Sequence, residues 1–477
     1  MSRFRLPGLG RWCLAVGVVV AAWAMVAIPA RATVGARTTA DEPQYLLTAL
    51  SLARDHDFWI DDELADRDYR PFHEVSLPVQ TEARSNGQAV SPHDPLLPVV
   101  LAVPMGLGGW QAAKGTLAVL AGVLAALLVW VAVRRLAVPV GVAAGTVLAF
   151  GLAAPLSSYG TQVYPELPAA LAVTAALAAL PWGREEPRSR RDAENVVRTA
   201  RVWVLGAAVV ALPFLGIKYA GVAVVLALLG VWGLGRRQAI GFVVGLAVAG
   251  VGYLVVHRVL YGGWTSYAAG DHFTGGEMTV VGNDPHYLGR SRRLVGLLLD
   301  REFGLVAWMP GYLLAVPALA VLLRRRPPGW LALTAPLAAG WATATWVALT
   351  MHGWWWPGRQ TVVVLPCVVL AVAWWAGQAR AVRPFVAVAG VVGAISWMWL
   401  VVEARRGDLT LIVDFATTRN PFFRALHAVL PDYRHPGTDD WLLQAGWLLG
   451  LAVVTLIAVV NPRLSIDKTR RTSHVPA

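Results

Sequence analysis

The sequence predicts an all-α, polytopic integral membrane protein with about 12 transmembrane helices. Hydrophobic residues make up 56% of the 477-residue chain and charged residues only 15%, whereas soluble domains carry roughly 25% charged residues. The apolar residues form blocks of roughly 17–22, which is the length that a helix needs to cross a bilayer. No block alternates between polar and apolar residues as the strands of a membrane barrel do.

The basic residues lie in short clusters between the apolar blocks. The formal net charge is +12, which on its own would be compatible with nucleic-acid binding. Arg and Lys clusters at the ends of apolar segments instead fix the orientation of membrane helices, because they stay on the cytoplasmic side. We therefore expect no nucleic-acid partner. Cys13 and Cys367 both lie inside apolar segments, so neither a disulfide nor a cysteine metal site is expected.

The first apolar segment, residues 12–28, follows a basic N-terminus. A cleaved signal peptide is one interpretation, because Ala30-Arg31-Ala32 resembles a cleavage site. The segment is long for a signal core, and we interpret it as the first membrane helix, with its N-terminus in the cytoplasm. The polar stretch that follows then lies outside.

The later apolar segments alternate with polar loops and form one transmembrane domain over residues 1–477. The loops assigned to the cytoplasm are mainly basic, while the external loops carry an excess of acidic residues, as the positive-inside rule requires. Both termini are then cytoplasmic, and the plasma membrane is the expected location. The predicted boundaries are a first external loop at about 33–95, a cytoplasmic loop at about 182–201, external loops at about 257–302 and 403–440, and a cytoplasmic tail at 461–477.

The first external loop is strongly polar, and its residues 39–93 hold eleven carboxylates. After Asp41 and Glu42, Tyr45 and Leu46 begin a run of apolar residues at helical spacing, so we predict a short amphipathic helix on the membrane surface. The loop is followed by an apolar stretch, residues 95–109, that is too short for a full span. We expect this stretch to form a juxtamembrane or re-entrant helix.

Short motifs recur at the ends of the apolar segments. They are Asp41-Glu42, Pro92-His93-Asp94-Pro95, Tyr164-Pro165-Glu166, residues 299–305 and residues 354–359. Their order resembles that of the membrane glycosyltransferases of the C superfamily. That superfamily uses polyprenyl-phosphate-linked sugars and includes the protein O-mannosyltransferases and the lipid A aminoarabinose transferases. Its members carry an acidic residue in the first external loop, just after the first span.

The resemblance implies a glycosyltransferase that moves a hexose or pentose from a polyprenyl phosphate to an acceptor on the outer face of the membrane. It assigns the general base to Asp41, with Glu42 as a supporting carboxylate or an alternative base, and the sequence does not choose between them. One carboxylate suffices chemically, because a phosphate leaving group needs no general acid. A glycoside hydrolase would need two carboxylates at a set separation.

The donor phosphate requires cations or hydrogen-bond donors on the same side of the membrane. Lys218 lies in an apolar helical hairpin, where a charge is costly, although a lysine that reaches to the interface is the alternative. Arg359 follows three tryptophans, and a guanidinium can hold a phosphate through two parallel hydrogen bonds. We expect the phosphate to contact Lys218, Arg359, His93 and Arg301.

Five further residues are candidates to line the substrate cavity. Glu166 either binds sugar hydroxyls or lies in a solvated turn, and Glu302 either faces the cavity or forms a surface ion pair. Trp356 belongs to a tryptophan cluster that is typical of an interfacial aromatic belt, and its ring could also stack on a sugar. The full set is Tyr45, Tyr164, Glu166, Glu302 and Trp356.

The expected partners are a polyprenyl-phosphate-linked sugar, membrane lipid, and an acceptor that is an envelope glycan, a glycolipid or a protein. No cofactor is expected. A divalent ion held by Asp41, His93 and Asp94 is conceivable, but their spacing is not that of a tight ligand set, so no metal is predicted. The chain has neither a Gly-Lys-Ser/Thr phosphate loop nor a dinucleotide fingerprint, which disfavours a nucleotide-sugar donor.

A polytopic transporter or flippase of lipid-linked sugars, without transferase activity, is the alternative function. A non-enzymatic envelope assembly protein is a third. Twelve spans with both termini inside is a frequent transporter layout. Transporters tend to contain repeats and charged residues at mid-membrane, whereas this chain has few charges within its apolar segments and one long acidic loop. These differences favour the transferase.

Overall fold

The computed structural model describes residues 8–78, 80–81, 87–182, 191–270, 277, 281–282, 284–412 and 414–461, without the side chains of residues 191–198. Within these ranges the regular structure is helical, with isolated bridges in place of strands. The predicted all-α class is confirmed. Parts of the predicted loops and tail lie outside the described residues, namely 183–190, 271–276 and 462–477.

Nineteen α-helices follow one another in the described ranges. The first ten are α1 (Leu9–Met25), α2 (Glu42–Arg54), α3 (Asp61–Ala65), α4 (Leu96–Leu136), α5 (Val140–Gly151), α6 (Leu156–Tyr159), α7 (Glu166–Ala179), α8 (Arg191–Leu215), α9 (Ala220–Gly233) and α10 (Arg236–Tyr261). The others are α11 (Tyr287–Arg290), α12 (Arg293–Leu299), α13 (Leu305–Trp308), α14 (Ala315–Arg325), α15 (Trp330–Ala342), α16 (Leu365–Gln378), α17 (Arg383–Arg406), α18 (Pro421–Val429) and α19 (Thr438–Val460). A contiguous apolar core joins them.

Apolar helices form at the predicted membrane segments. Five helical segments of the described chain are long and apolar enough to cross a bilayer, judged by length and composition. They are Leu96–Leu136, Arg236–Ala269, Arg359–Gln378, Arg380–Arg406 and Thr438–Val460. Other apolar helices, such as α1, α5 and α7, are shorter. The chain is an α-helical membrane protein, while the count of 12 spans and the orientation of the termini stay predictions.

The helix predicted to lie on the membrane surface is instead enclosed by protein, so that prediction is wrong. Every residue of α2 from Glu42 to Ser51 is buried, and the helix packs along α4. Thr48 donates a hydrogen bond to the Gln44 carbonyl, and Ser51 donates one to the Asp57 carboxylate. Because these short polar side chains find partners close by, they can be buried without losing their hydrogen bonds.

Two glycines, Gly108 and Gly109, break α4 into two helical parts. Gly109 has a φ of +61° and a ψ of −160°, a combination that is open essentially to glycine alone. The break falls at the end of the short apolar stretch, residues 95–109. The boundary predicted there from the sequence is confirmed.

Glycines also allow α1 to lie directly against the second part of α4. A Cβ atom on Gly17 would lie 2.9 Å from the carbonyl oxygen of Gly122, and one on Gly122 would lie 2.5 Å from the carbonyl oxygen of Gly17. The two backbones therefore touch, as small residues permit in pairs of membrane helices. This contact anchors the helix from which the first loop departs.

Four chain segments that carry charged residues are among those that meet at one cavity. They are the start of α2, the start of α7, the 3-10 turn Ile217–Tyr219 between α8 and α9, and the 3-10 turn Arg359–Val364 that leads into α16. The bundle thus brings together parts of the chain that are far apart in sequence, and each contributes polar side chains.

Gly122→Val should push α1 away from α4 and lower the free energy of unfolding by about 2 kcal/mol, as overpacking substitutions do. Gly115→Val in the same helix is the matched control, because no atom lies within 4 Å of a Cβ at that position. Thermal unfolding in detergent micelles compares the two variants. Equal losses of stability would contradict the direct contact between the backbones.

Candidate functional site

A polar cavity of about 190 Å³ lies where the four segments meet. It is lined by Asp41, Tyr45, Gln80, Pro92, His93, Asp94, Pro165, Leu215, Gly216, Lys218, Ser266, Tyr267, Gly270 and Arg359. Six of the candidate residues named from the sequence are among them: Asp41, Tyr45, His93, Asp94, Lys218 and Arg359. Asp41 and Arg359 are 318 positions apart in the chain and touch in the fold.

Four charged side chains form a continuous chain of ion pairs beside the cavity. Lys218 Nζ lies 2.6 Å from Glu166 Oε1, and Arg359 Nε donates to the same oxygen at 2.8 Å. Arg359 Nη2 donates to Asp41 Oδ2 at 2.6 Å. Glu166 is enclosed, whereas the side chains of Lys218 and Asp41 remain 22% and 19% exposed. The two ends of the chain are therefore accessible to a ligand.

Local structure directs Arg359 into the cavity. Gly358 before it has a φ of +82°, and a Cβ there would lie 2.8 Å from Leu305, so this turn requires glycine. The guanidinium carbon lies 4.2 Å from the ring centroid of Tyr164 and 4.9 Å from that of Trp355. These cation–π contacts and the ion pairs hold the guanidinium in place. Tyr164 thus supports the site without lining the cavity.

Asp41 precedes α2 in a strained turn. Ala40 before it has a φ of +41°, which is uncommon for any residue other than glycine, and such outliers cluster at functional sites. Burial alone would raise the pKa of Asp41, but attraction to nearby positive charge, chiefly that of Arg359, outweighs burial and lowers the pKa to about 2. The carboxyl group is therefore ionised at neutral pH.

His93 forms an uncharged part of the cavity wall. Its ring stacks on that of Tyr45, with centroids 4.6 Å apart, and its Nε2 lies 3.2 Å from the side-chain oxygen of Gln80. Burial lowers the pKa of His93 below its ordinary value, although the nearby Asp41 opposes this shift. At pH 7 the ring is a neutral hydrogen-bonding group and not a cation.

A second polar group lies in the cavity, and of its members the sequence singled out only Asp94. Asp94 accepts hydrogen bonds from Ser266 Oγ at 3.2 Å and from the backbone N–H of Ile217 at 3.3 Å. Its other oxygen lies 3.0 Å from His257 Nε2. Ser266 and the neighbouring Tyr267 come from the predicted external loop 257–302, which has no recognisable motif. The sequence signal for this group is Asp94 itself, in the motif that closes the first loop.

Glu42 is fully buried and is not part of the cavity lining. One of its oxygens accepts a hydrogen bond from the Thr39 N–H at 3.0 Å. The other accepts one from the Val163 N–H at 2.8 Å and lies 3.4 Å from Lys114 Nζ. These contacts join the first loop to α4 and to the segment before α7. Asp41 and Glu42 are adjacent in sequence, but one faces the cavity and the other faces the protein interior.

Three residues expected at the cavity lie elsewhere, so their predicted placement is wrong. Arg301 pairs with Asp440 at 2.8 Å, and Glu302 lies 3.6 Å from His427 Nε2. Trp356 is enclosed by other aromatic rings. The physical reason is that the charged residues beside this span find partners in the first turn of α19 and in α18. The large indole of Trp356 fills the apolar core.

The triad considered for a divalent ion does not assemble as a set of ligands. Asp41 pairs with Arg359, and Asp94 is occupied by His257. His93 contacts Gln80 and Tyr45. The expectation that this site works without a metal or cofactor stays a prediction.

Comparison with known structures identifies the fold. The structure is similar to the crystal structure of ArnT from Cupriavidus metallidurans bound to undecaprenyl phosphate, with a TM-score of 0.50, 17% identity, and coverage of 94% of this chain and 76% of that chain. The apo structure of that protein matches with a TM-score of 0.48 at the same identity and coverage. No family model and no curated protein matches the chain. The resemblance seen in the sequence is thus borne out at the level of the fold, which is similar to that of ArnT.

Lys114→Met should lower the free energy of unfolding by about 3 kcal/mol, because it leaves the Glu42 carboxylate buried without its cation. Glu42→Gln should cost less in the Lys114→Met background than in the wild type, since both changes remove one shared interaction. Thermal unfolding of the two single variants and the double variant measures this coupling. Strictly additive losses would contradict a structural pair.

Proposed function

We propose that this chain is a membrane glycosyltransferase that moves a sugar from a polyprenyl-phosphate donor to a hydroxyl group of an acceptor on the outer face of the membrane. The observation that carries the proposal is a single cavity in which Lys218 and Arg359 lie beside the carboxylate of Asp41. The fold supports it, because the similar ArnT structure contains undecaprenyl phosphate. The acceptor class is an envelope glycan, a glycolipid or a protein.

In this proposal the donor phosphate binds at Lys218 and Arg359. Arg359 offers a planar pair of N–H donors and Lys218 a compact charge, and both suit phosphate oxygens. Glu166 holds the two cations through one buried oxygen and so sets their separation. The phosphate takes the place of Asp41 as a partner of Arg359, since Asp41 is the more exposed of the two carboxylates that contact the guanidinium.

The reaction is a single displacement. The acceptor oxygen attacks the anomeric carbon of the donor sugar, and the bond from that carbon to the phosphate oxygen breaks. The electron pair leaves with the polyprenyl phosphate, whose added negative charge is stabilised by Lys218 and Arg359. The proton of the acceptor hydroxyl passes to Asp41 as general base. The configuration at the anomeric carbon is inverted.

Donor binding also prepares the base. In the donor-free protein, attraction to Arg359 outweighs the effect of burial and keeps the pKa of Asp41 at about 2, so the carboxylate is a weak base. When a phosphate competes for the guanidinium, Asp41 loses part of this attraction and its pKa rises. The carboxylate thus becomes a better proton acceptor only when the donor is in place.

The uncharged side of the cavity suits the sugar. Gln80, His93, Ser266 and Tyr267 line it and offer hydrogen-bond donors and acceptors. Tyr45, stacked on His93, adds an aromatic surface. A few directed polar groups on an otherwise apolar wall are typical of small-molecule sites.

We assign the base to Asp41 and a structural role to Glu42. A general base must come within hydrogen-bond reach of the proton that it accepts, and Asp41 lines the cavity. Glu42 is enclosed by Thr39, Val163 and Lys114. An acceptor hydroxyl would have to displace these contacts to reach it.

Asp41→Asn should lower kcat by about 100- to 10,000-fold, the range for losing a general base. Donor affinity should be unchanged or higher, because the neutral amide no longer competes for Arg359. Transfer of radiolabelled sugar by the purified protein gives kcat, and equilibrium binding of the labelled donor gives its affinity. Asp66→Asn, an exposed acid of the same loop, is the matched control and should behave like the wild type.

Two results would overturn this assignment. Full transfer by Asp41→Asn would remove Asp41 as the base. Passage of labelled lipid-linked sugar across sealed vesicles, without a new glycosidic bond in any tested acceptor, would favour the transporter instead.

The pH dependence should differ between the free protein and its donor complex. In the free protein Asp41 stays ionised above about pH 2, so protonation of Asp41 should not lower kcat/KM down to about pH 4. The value of kcat reports the donor complex, in which the pKa of Asp41 is higher. We therefore expect kcat to begin to fall at a higher pH than kcat/KM does. Initial rates measured across pH at limiting and at saturating donor separate the two profiles. His93→Asn is the control. If kcat no longer falls at acidic pH in that variant, the fall in the wild type is due to His93 and not to Asp41.

A further inference from the structure

The acidic stretch from Asp55 to Asp68 contains carboxylates that the proposed donor site does not use. Several have partners. Asp57 and Asp61 accept hydrogen bonds from backbone N–H groups. Asp68 forms an ion pair with Arg54 at 2.5 Å. These three acids stabilise the local chain, and their role needs no ligand.

Asp55, Asp62 and Glu63 differ from these neighbours. One oxygen of each lies within 4.8 Å of the others. Over the part of the chain that the structure describes, none of the three has an ion-pair partner. Glu63 is only 2% exposed, and neither of its carboxylate oxygens has a hydrogen-bond partner. A buried carboxylate without a partner is unfavourable, and this one is directed into a cluster of two more.

A reversal of the chain brings the three carboxylates together. α2 ends immediately before Asp55, and His56 follows with a φ of +63°. The next helix, α3, then carries Asp62 and Glu63 back to Asp55. The cation that is closest in sequence, Arg54, is already engaged on the surface. The cluster therefore holds three formal negative charges that no side-chain cation of the described residues offsets.

We propose that Asp55, Asp62 and Glu63 bind a divalent cation of the Ca²⁺ class, which cross-links the end of α2 to α3. All three ligands are carboxylates, and sites without His or Cys favour Ca²⁺ or Mg²⁺ over zinc. Ca²⁺–oxygen distances are about 2.4 Å, so oxygens on opposite sides of the ion are at most about 4.8 Å apart. The three oxygens lie within this limit of one another.

The three carboxylates favour Ca²⁺ over Mg²⁺, because Mg²⁺ usually keeps several waters and is held by only one or two carboxylates. Asp55 and Asp62 are exposed and Glu63 is buried, so water molecules can complete a coordination shell of about six to eight oxygens. Ca²⁺ accepts such irregular shells, whereas Mg²⁺ requires nearly octahedral geometry. Glu63 would be the inner ligand, shielded from solvent.

A proton is the competing ligand. Burial, and then the neighbouring Asp62 carboxylate, raise the pKa of Glu63 to about 8. A protonated Glu63 would relieve the buried charge without any metal. Direct measurement of cation binding distinguishes these two states, and Glu63→Gln imitates the protonated one.

The cation would stiffen the helix that carries the cavity at its other end. α2 begins just after Asp41 and ends just before Asp55. The proposed ligands do not line the cavity, so this inference does not depend on the proposed transferase activity and can fail or hold independently of it.

Calorimetric titration of the EDTA-treated, full-length protein with CaCl₂ in detergent tests the proposal. We expect one Ca²⁺ per chain and an upward shift of Tm with Ca²⁺. Glu63→Gln and Asp62→Asn should each weaken binding roughly tenfold or more, because affinity follows the charge of the ligands. Above about pH 8, where the buried Glu63 carboxylate is ionised, Glu63→Gln should also raise the Tm of the Ca²⁺-free protein. Asp66→Asn should bind Ca²⁺ as the wild type does.

Several results would overturn the proposal. They are the absence of stoichiometric binding, binding unchanged in both cluster variants, and equal loss of binding in Asp66→Asn. Equal affinity for Mg²⁺ would overturn the assignment to the Ca²⁺ class. If Glu63→Gln does not fold, Asp62→Asn and Asp55→Asn decide the question, because both of these side chains are exposed.

Discussion

The chain of ion pairs from Lys218 through Glu166 and Arg359 to Asp41 is the interaction on which the site depends. Charges inside a bundle of apolar helices are costly unless each finds an opposite charge at contact distance. Here one oxygen of Glu166 serves both cations, and Asp41 neutralises the second of them. The network that makes these charges tolerable in the fold is also the one that places two cations beside a carboxylate.

The neighbouring carboxylates Asp41 and Glu42 illustrate how surroundings decide what a residue can do. Glu42 has backbone donors and Lys114 around it, and no access to the cavity. Asp41 has one principal partner, Arg359, and keeps part of its surface open. A group with many fixed partners stabilises the fold, whereas one with a single exchangeable partner can respond to a ligand. Under the proposed mechanism, the donor phosphate replaces Asp41 as the partner of Arg359.

Sequence reasoning succeeded where the signal was local. Blocks of apolar residues indicated membrane helices, and the short apolar stretch 95–109 indicated a separate helical unit. Asp41, Lys218 and Arg359 stood out as polar residues in conspicuous places. The same reasoning misplaced Arg301 and Trp356. The local sequence around a charged or aromatic residue beside a span is the same whether that residue faces a cavity or a neighbouring helix. Sequence reasoning also left Ser266 unnoticed, since a serine in a polar loop carries no pattern.

The sequence by itself determined the class of the fold, because the length and polarity of each segment are limited by the bilayer whatever the segment packs against. It also determined which residues were worth considering as acids, bases and cations. Only the tertiary structure decided that α2 is enclosed, that Asp41 and not Glu42 meets Arg359, and that Asp94 joins the cavity. These outcomes depend on contacts between positions that are far apart in the chain. No local pattern encodes such contacts, because they follow from how the helices pack together.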